Sequence, residues 1–313
     1  MYKIERYEAS RHREEWNSFV AKSKNGTFLF DRNYMDYHQH RFADHSLLFY
    51  LKDKLYAVFP ANENGETICS HQGLTYGGLL MGFDATAEGI IALFRQMNDY
   101  YRRSGFRRIV YRPTPWIYHL LPSEEDLYAI FNECNGTLIA KEVSTVILTE
   151  RQQKWSTLRT RCAAKAKKNE VTVSESNDLA TFWHILSENL SNRYQVKPVH
   201  TLEEMQLLQS RFPHNIRLTA AFHHSEMIGG ILFYQTKQVV HSQYIATNDL
   251  GKSLGAIDLI MDETLHNRYT EQPYFDFGKS TEEHGTILNE KLIHQKEGFG
   301  GRAVCYDTYE WEL

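Results

Sequence analysis

The chain has few cysteines and no long apolar run. Its four cysteines, Cys69, Cys134, Cys162 and Cys305, are dispersed, with no CxxC pair and no histidine at ligand spacing. We therefore expect neither a disulfide nor a metal site, and this usage fits a reduced, cytoplasmic compartment. No apolar run approaches the roughly 18 residues that cross a membrane, and the N-terminus is charged from its third residue. We expect no signal peptide and no membrane span.

The chain also lacks a large excess of charge of one sign. Its formal net charge is −4, which argues against a general polyanion binder but leaves room for a local basic patch. Its 313 residues, 42% of them hydrophobic and 13% aromatic, exceed the usual size of one hydrophobic core. We predict two domains, residues 1–150 and 151–313, with a boundary near Thr149–Gln153.

The second half contains strands, a glycine-containing loop, a helix and a further strand in one order. The predicted elements are strands Arg217–Phe222, Met227–Gln235 and Val239–Ala246, loop Thr247–Leu254, helix Gly255–Thr270 and strand Tyr274–Phe277. A strand that opens into such a loop and a helix N-terminus aims free backbone N–H groups at one point. That arrangement suits a phosphate-bearing donor.

The first half repeats this order at an offset of roughly 170 residues, too long for a short solenoid repeat. Its predicted elements are the hairpin Leu47–Leu51 and Leu55–Ala61, the loop Ser70–Gly78, the helix Thr86–Ser104 and the strand Phe106–Tyr111. Predicted helices lead into each half: Arg11–Ala21 and Arg32–Phe42, then Leu179–Ser191 and Thr201–Arg211. Helix Ser123–Asn132 and strand Leu138–Leu148 close the first half. The pattern predicts duplication of a whole domain.

A basic segment follows the predicted boundary. Arg151–Lys168 carries seven basic residues and no acidic one. At helical spacing, Arg161, Lys165 and Lys168 share one face. Such a cluster is either an ordinary solvated helix face or a local positive potential that holds phosphates or carboxylates.

Several segments resemble known families. The strand, loop and helix order resembles the core of the GNAT acyltransferase fold. The run from Trp155 to Val171 and the segment Phe275-Asp-Phe-Gly-Lys-Ser, with Gln295-Lys-Glu-Gly-Phe-Gly, are similar to FemAB-like proteins, as is Ser70-His-Gln-Gly-Leu-Thr-Tyr-Gly-Gly. The resemblance implies an α/β (α+β) fold of two tandem GNAT-like domains, each with a mixed, mostly antiparallel sheet flanked by helices. FemAB-like proteins include ligases that transfer an amino acid from aminoacyl-tRNA to a peptidoglycan-precursor amine, and relatives described as acyl-CoA-dependent N-acyltransferases.

The GNAT resemblance implies a donor site for acetyl-CoA or another acyl-CoA. The implied cofactor-binding residues are Gly251, Lys252, Ser253, Gly255 and Ala256. In GNAT enzymes this loop carries more glycine, whereas here a serine occupies the first glycine position and an aspartate, Asp249, lies beside the loop. The matching first-domain segment, at Gly82, has neither a second glycine nor a basic residue, so we expect that copy to be catalytically empty.

Acyl transfer requires an attacking amine, a stabilised oxyanion and a protonated leaving group. The FemAB resemblance implies that Lys296, just before Gly-Phe, stabilises the oxyanion; a surface lysine near a helix end is the alternative. Tyr244 is a candidate for protonating the leaving group and His241 for the base, although both are equally consistent with ordinary core residues.

Further residues are candidates for binding the acceptor. Lys279 and Ser280 follow a strand end, where ligands of α/β sheets lie. Tyr76 and Gly77 belong to the glycine-containing loop of the first half, and Arg161 and Lys165 to the basic segment. An ordinary glycine-rich hairpin would explain the loop equally well.

These observations favour an N-acyltransferase that moves an acyl group from acyl-CoA to an amine of a small molecule, sugar, glycan or peptide bound between the domains. One alternative is an aminoacyl-tRNA-dependent transferase acting on a cell-wall precursor. The absence of a coiled-coil arm makes tRNA the less favoured partner. The other alternative is a GNAT-fold protein that binds its ligand without catalysis.

Overall fold

The computed structural model describes residues 1–269 and 271–313, apart from the side chains of residues 193 and 194. It contains two compact units. The first comprises Met1–Glu142, Glu283–Thr286 and Cys305–Leu313, and the second Val143–Glu282 and Ile287–Val304. Two short segments of the predicted second domain, Glu283–Thr286 and Cys305–Leu313, therefore group with the first unit. Within the described parts of the chain, no helix combines the length and apolar character needed to cross a membrane.

The elements are numbered in chain order. Those of the first unit are β1 (Lys3–Arg6), α1 (Ala9–Lys22), α2 (Arg32–Met35), β2 (Ala43–Asp44), β3 (Leu47–Leu51), β4 (Lys54–Phe59), β5 (Asn62–Asn64), β6 (Thr67–Cys69), β7 (Leu80–Met81), α3 (Ala87–Arg103), β8 (Arg108–Tyr111) and α4 (Glu125–Glu133). Strand β9 (Thr137–Leu148) begins in the first unit and ends in the second. Those of the second are α5 (Thr157–Lys168), β10 (Thr172–Ser176), α6 (Leu179–Tyr194), α7 (Leu202–Arg211), β11 (Ile216–His223), β12 (Glu226–Gln235), β13 (Val239–Thr247), α8 (Asp249–Leu254), α9 (Ala256–Glu263), β14 (Tyr274–Lys279), β15 (Thr281–Glu282), β16 (Ile287–Leu288) and α10 (Glu290–Glu297). Strand β17 (Arg302–Glu312) begins in the second unit and ends in the first.

In the first unit, β1, β3, β4 and β7 form an antiparallel sheet in that order. A second group of strands pairs β6 parallel to β8, and β8 antiparallel to the C-terminal part of β17. Helix α3 begins after Thr86, whose side-chain oxygen accepts a hydrogen bond from the Gly89 amide. Its apolar face includes Leu93 and Phe94, which belong to the core of this unit. The helix predicted at Thr86–Ser104 is confirmed.

Two helices predicted in the first half differ in the structure. Arg32–Phe42 is a single α-helical turn, α2, followed by a 3-10 segment in which His38 leaves helical geometry, with its ring Nδ1 donating to the Met35 carbonyl at 2.8 Å. Helix α4 begins at Glu125 because the Ser123 hydroxyl donates to the Leu121 carbonyl and so does not cap the helix.

In the second unit the strand order is β10-β11-β12-β13-β14, with the C-terminal part of β9 next to β14. All neighbours are antiparallel except β13 and β14. The core under α9 contains Ile231, Phe233, Ile260 and Phe275. Each unit thus has a mixed, mostly antiparallel sheet with helices, as predicted.

The predicted loop Thr247–Leu254 is wrong, because α8 forms over most of it. Asn248 caps this helix: its side-chain oxygen accepts from the Gly251 amide at 2.8 Å. The predicted helix Gly255–Thr270 begins as α9 and continues as a π-helical turn over Thr264–Arg268. Its predicted last residue, Thr270, lies outside the described residues.

Candidate functional site

The candidate site of the second unit lies where β13 and β14 stop pairing. The two parallel strands pair at Val239 with Tyr274, Val240 with Phe275, and His241 with Asp276. Both described strands continue past His241 and Asp276, to Thr247 and Lys279. Gly278 turns the backbone here with φ of +75°, a left-handed conformation that favours glycine. The parallel pairing of β13 and β14 therefore ends at His241 and Asp276.

A histidine and a buried carboxylate meet at this last paired position. His241 Nδ1 lies 2.9 Å from Asp276 Oδ2, and the Asp276 side chain is 0% exposed whereas that of His241 is 13% exposed. The other Asp276 oxygen accepts from the Ser144 hydroxyl and, at 2.9 Å, from the Gly278 amide. Hydrogen bonds therefore hold both oxygens of the carboxylate in place, and the carboxylate holds the imidazole in one orientation.

Lys296 approaches the same turn from α10. Its side chain is buried, and its ammonium donates to the carbonyls of Gly278 at 2.7 Å and Lys279 at 2.8 Å. Burial lowers the pKa of Lys296 to about 8, and the nearby Asp276 opposes that shift. The alternative of an exposed surface lysine is wrong. The structure thus brings together Lys296, His241 and the backbone of Lys279.

The two predicted acceptor-side residues occupy different environments. Lys279 supplies its carbonyl to Lys296, while Ser280 is buried and its backbone amide donates to the Val143 carbonyl at 2.8 Å. Within the described structure, the Ser280 hydroxyl has no hydrogen-bond partner. Their role in acceptor binding stays a prediction.

Tyr244 lies on β13 with its ring at an edge-to-face angle to Trp183 of α6. Its hydroxyl is 2.7 Å from His200 Nδ1. Burial raises the pKa of Tyr244 to about 12. The structure therefore places this candidate acid in a hydrogen bond with His200, and its role in catalysis stays a prediction.

The predicted donor-binding residues belong to two packed helices. Gly251 lies in α8, where an added Cβ would come within 2.2 Å of the Ile228 carbonyl. Lys252 and Ser253 are exposed on that helix, and Ala256 is buried at the start of α9. Gly255, with φ of +86°, joins the two helices, and an added Cβ would lie 2.5 Å from the Cys162 carbonyl. Protein contacts, rather than an open loop, explain both glycines, and binding of a donor by these residues stays a prediction.

The basic helix α5 packs on α9, and its charges divide between structural pairs and exposed positions. Arg159 pairs with the buried Asp258 at 2.9 Å, and Lys167 pairs with Asp262 at 2.6 Å. Lys165 donates to the Ser253 carbonyl at 2.6 Å. Arg161 is exposed. Part of the basic cluster therefore stabilises the contact between helices.

Tyr76 and Gly77 lie in the interior of the first unit. Tyr76 is 2% exposed and its hydroxyl donates to Thr27 at 3.2 Å. An added Cβ at Gly77 would lie 1.9 Å from the Ser70 carbonyl. The close approach that these glycines allow is between protein segments, and a substrate role for either residue stays a prediction.

Two residues of the site were not singled out from the sequence. Asp276 carries a usable signal, because an aspartate between two buried phenylalanines of a strand is costly unless it is paired. Ser144 carries no such signal. Across the described residues, no three His, Cys, Asp or Glu side chains are grouped to hold a metal ion.

Comparisons with known proteins show the fold. No family model matches the chain, and no curated protein matches it in sequence. FemX matches 99% of this chain and 97% of its own length, with a TM-score of 0.70 at 10% identity. L-PGS from Bacillus licheniformis matches 96% of this chain and 91% of its own, with a TM-score of 0.61 at 10% identity. A tandem GNAT protein from the clavulanic acid biosynthesis pathway matches 100% of this chain and 98% of its own length, with a TM-score of 0.51 at 10% identity. The chain therefore has the tandem GNAT-like fold of FemAB-like proteins, which confirms the predicted resemblance and fold class.

Proposed function

We propose that this protein is an N-acyltransferase whose second unit transfers an acyl or aminoacyl group from an activated ester or thioester to an amine. The observation that supports the proposal is the buried ammonium of Lys296 at the end of the β13 and β14 pairing. The fold shared with FemX and with a tandem GNAT protein agrees with it.

The ammonium of Lys296 suits an oxyanion. It has three N–H donors, of which the Gly278 and Lys279 carbonyls accept two. The remaining donor is available for the oxygen that becomes negative when an amine adds to the donor carbonyl. Because the site is buried, that interaction is stronger than it would be in water. With a pKa of about 8, Lys296 stays mostly protonated at neutral pH.

Two donor classes suit this chemistry. The first is acetyl-CoA or another acyl-CoA, which the GNAT resemblance implies. The second is an aminoacyl-tRNA, which the FemAB resemblance implies. One observation favours the second: α8 replaces the loop expected to hold a pyrophosphate, and the Asn248 side chain already accepts the Gly251 amide hydrogen bond.

The acceptor is an amine of a small molecule, glycan or peptide. Arg161 is exposed on α5 and provides a positive charge for a phosphate or carboxylate on either reactant.

A donor screen tests the proposal. The purified protein is incubated with CoA, a series of acyl-CoAs or charged tRNA, together with a mixture of amines, and products are followed by mass spectrometry. We expect a new amide with one donor class only. If every donor fails to bind at millimolar concentration and no amide forms, the acyltransferase proposal is wrong and a binding protein without catalysis takes its place.

A further inference from the structure

The pair of His241 and Asp276 provides a function that Lys296 cannot supply while it is protonated. An acceptor amine in water is an ammonium ion, and it becomes a nucleophile only after losing a proton. The remaining ammonium donor of Lys296 can stabilise negative charge but cannot accept a proton. The site therefore needs a separate base.

We infer that His241 is the general base of the transferase and that Asp276 is its positioning residue; this inference rests on the proposed function. The Asp276 carboxylate can only accept a hydrogen bond from the ring, so Nδ1 at 2.9 Å must carry the hydrogen. Nε2 is then the nitrogen with a free lone pair. An added Cβ at Gly278 would be 3.8 Å from that Nε2, which places this nitrogen at the same turn whose carbonyl binds Lys296.

The surroundings of Asp276 keep this arrangement fixed. The Ser144 hydroxyl and the Gly278 amide both donate to Oδ1, so Oδ2 alone is directed to the imidazole. The Asp276 side chain is fully buried, whereas the His241 side chain is 13% exposed. Solvent therefore reaches the histidine but not the carboxylate, as expected for a base and the group that orients it.

The acceptor arrives as an ammonium ion and releases one proton to solvent, which leaves a neutral amine in the site. Nε2 of His241 takes a second proton from this amine as the new C–N bond forms at the donor carbonyl carbon. The carbonyl oxygen becomes an oxyanion beside Lys296. When the C–S or C–O bond to the leaving group breaks, the imidazolium returns that proton to the leaving sulfur or oxygen. The products are the amide, a free thiol or hydroxyl, and the one proton that the ammonium released to solvent, and no further reactant is needed.

The first test uses no substrate. Nitrogen-15 NMR of histidine-labelled protein should show that the neutral ring of His241 carries its hydrogen on Nδ1 and none on Nε2. Asp276→Asn should lower the fraction of His241 rings that carry the hydrogen on Nδ1, and Ser144→Ala should lower it to a smaller extent. A wild-type His241 that carries its hydrogen on Nε2 would overturn the assignment, because that nitrogen could not accept a proton.

The second test measures transfer with the donor and amine found in the screen. His241→Gln should lower kcat by about 10²–10⁴-fold with KM changed much less, the usual effect of losing a general base. Added imidazole should restore part of the activity of His241→Gly. The control, His184→Gln, changes an exposed histidine of α6 and should keep full activity.

The outcomes separate the two proposals. Turnover at the wild-type rate in His241→Gln overturns His241 as the base and leaves the acyltransferase proposal standing. Absence of turnover in the wild type with every donor overturns the acyltransferase proposal and the base together.

Discussion

The buried ammonium of Lys296 predicts an unusual dependence of stability on pH. Its pKa is about 8 in the folded protein because of burial, against 10.5 for an exposed lysine. The unfolded chain therefore binds more protons between these two values. Stability associated with this group is fully present above pH 10.5 and is lost as the pH falls through about 8.

The magnitude follows from the two pKa values. Between pH 7 and pH 10 the free energy of unfolding should rise by about 2–3 kcal/mol on account of Lys296 alone. Comparison with Lys296→Met isolates this contribution, because groups that titrate in both proteins cancel in the difference. At pH 7 the variant also loses two charge-assisted hydrogen bonds, worth about 1.5–3 kcal/mol each, so the sign of the difference there is not the test.

The assay is urea unfolding of wild type and Lys296→Met at several pH values from 7 to 10. The difference between the two unfolding free energies should move in favour of the wild type as the pH rises. Lys291→Met is the matched control, because Lys291 is exposed on the same helix, and its difference from wild type should stay constant. A pH-independent difference for Lys296→Met would refute the reasoning, since it would mean that the ammonium is not desolvated.

Three further predictions concern stability. Gly105 has φ of +90°, and an added Cβ would meet no described atom within 4 Å, so Gly105→Ala should lower the free energy of urea unfolding by about 1–2 kcal/mol. Gly255→Ala should lower it more, because the added Cβ would also meet the Cys162 carbonyl. Equal losses would contradict the close packing at Gly255. Burial lowers the pKa of His71 to about 3, so the stability that its neutral ring contributes is present above pH 6.5 and is lost as the pH falls. From pH 7 to pH 5 the free energy of unfolding of the wild type should fall by about 2 kcal/mol more than that of His71→Asn. Equal pH dependence of the two proteins would exclude this. Arg159→Met should destabilise by about 3–5 kcal/mol because it leaves Asp258 buried and unpaired, and Asp258→Leu in the same chain should recover much of that loss; purely additive effects would argue against the pair.

Local sequence patterns predicted most elements of the second unit. β11, β12 and β13 follow from β-branched and aromatic runs separated by turn residues. Helix α7 begins as its Thr201 and Glu204 capping box indicates. These features depend on neighbours a few residues apart, which is why a single sequence reveals them.

Features that depend on distant partners were not predictable in the same way. The end of β17, in the second half of the chain, pairs with β8 of the first unit. The end of β9, in the first half of the chain, pairs with β14 of the second unit. Nothing in the local pattern of a strand identifies such a partner. Likewise α8 contains Gly251, which resembles a loop residue in sequence but packs under the Ile228 carbonyl.

In the candidate site, too, some residues were predictable from the sequence and their surroundings were not. Lys296 and His241 were identifiable as candidates, one from a family resemblance and one from its residue type. Their joint environment was not, because it depends on Asp276 and Gly278, which the fold brings between them. The sequence indicates that Asp276 needs a partner, but only the assembled strands show that this partner is His241.

The central claim is that Lys296 and its surroundings perform acyl transfer in the second unit. The most direct measurement is the rate of amide formation by wild type, Lys296→Met and Lys291→Met with the donor that the screen identifies, each variant first shown to be folded by its melting temperature. We predict that Lys296→Met loses about 10²–10³-fold in kcat, the scale of one oxyanion donor, while Lys291→Met keeps wild-type activity. A folded Lys296→Met variant with wild-type turnover would contradict the account.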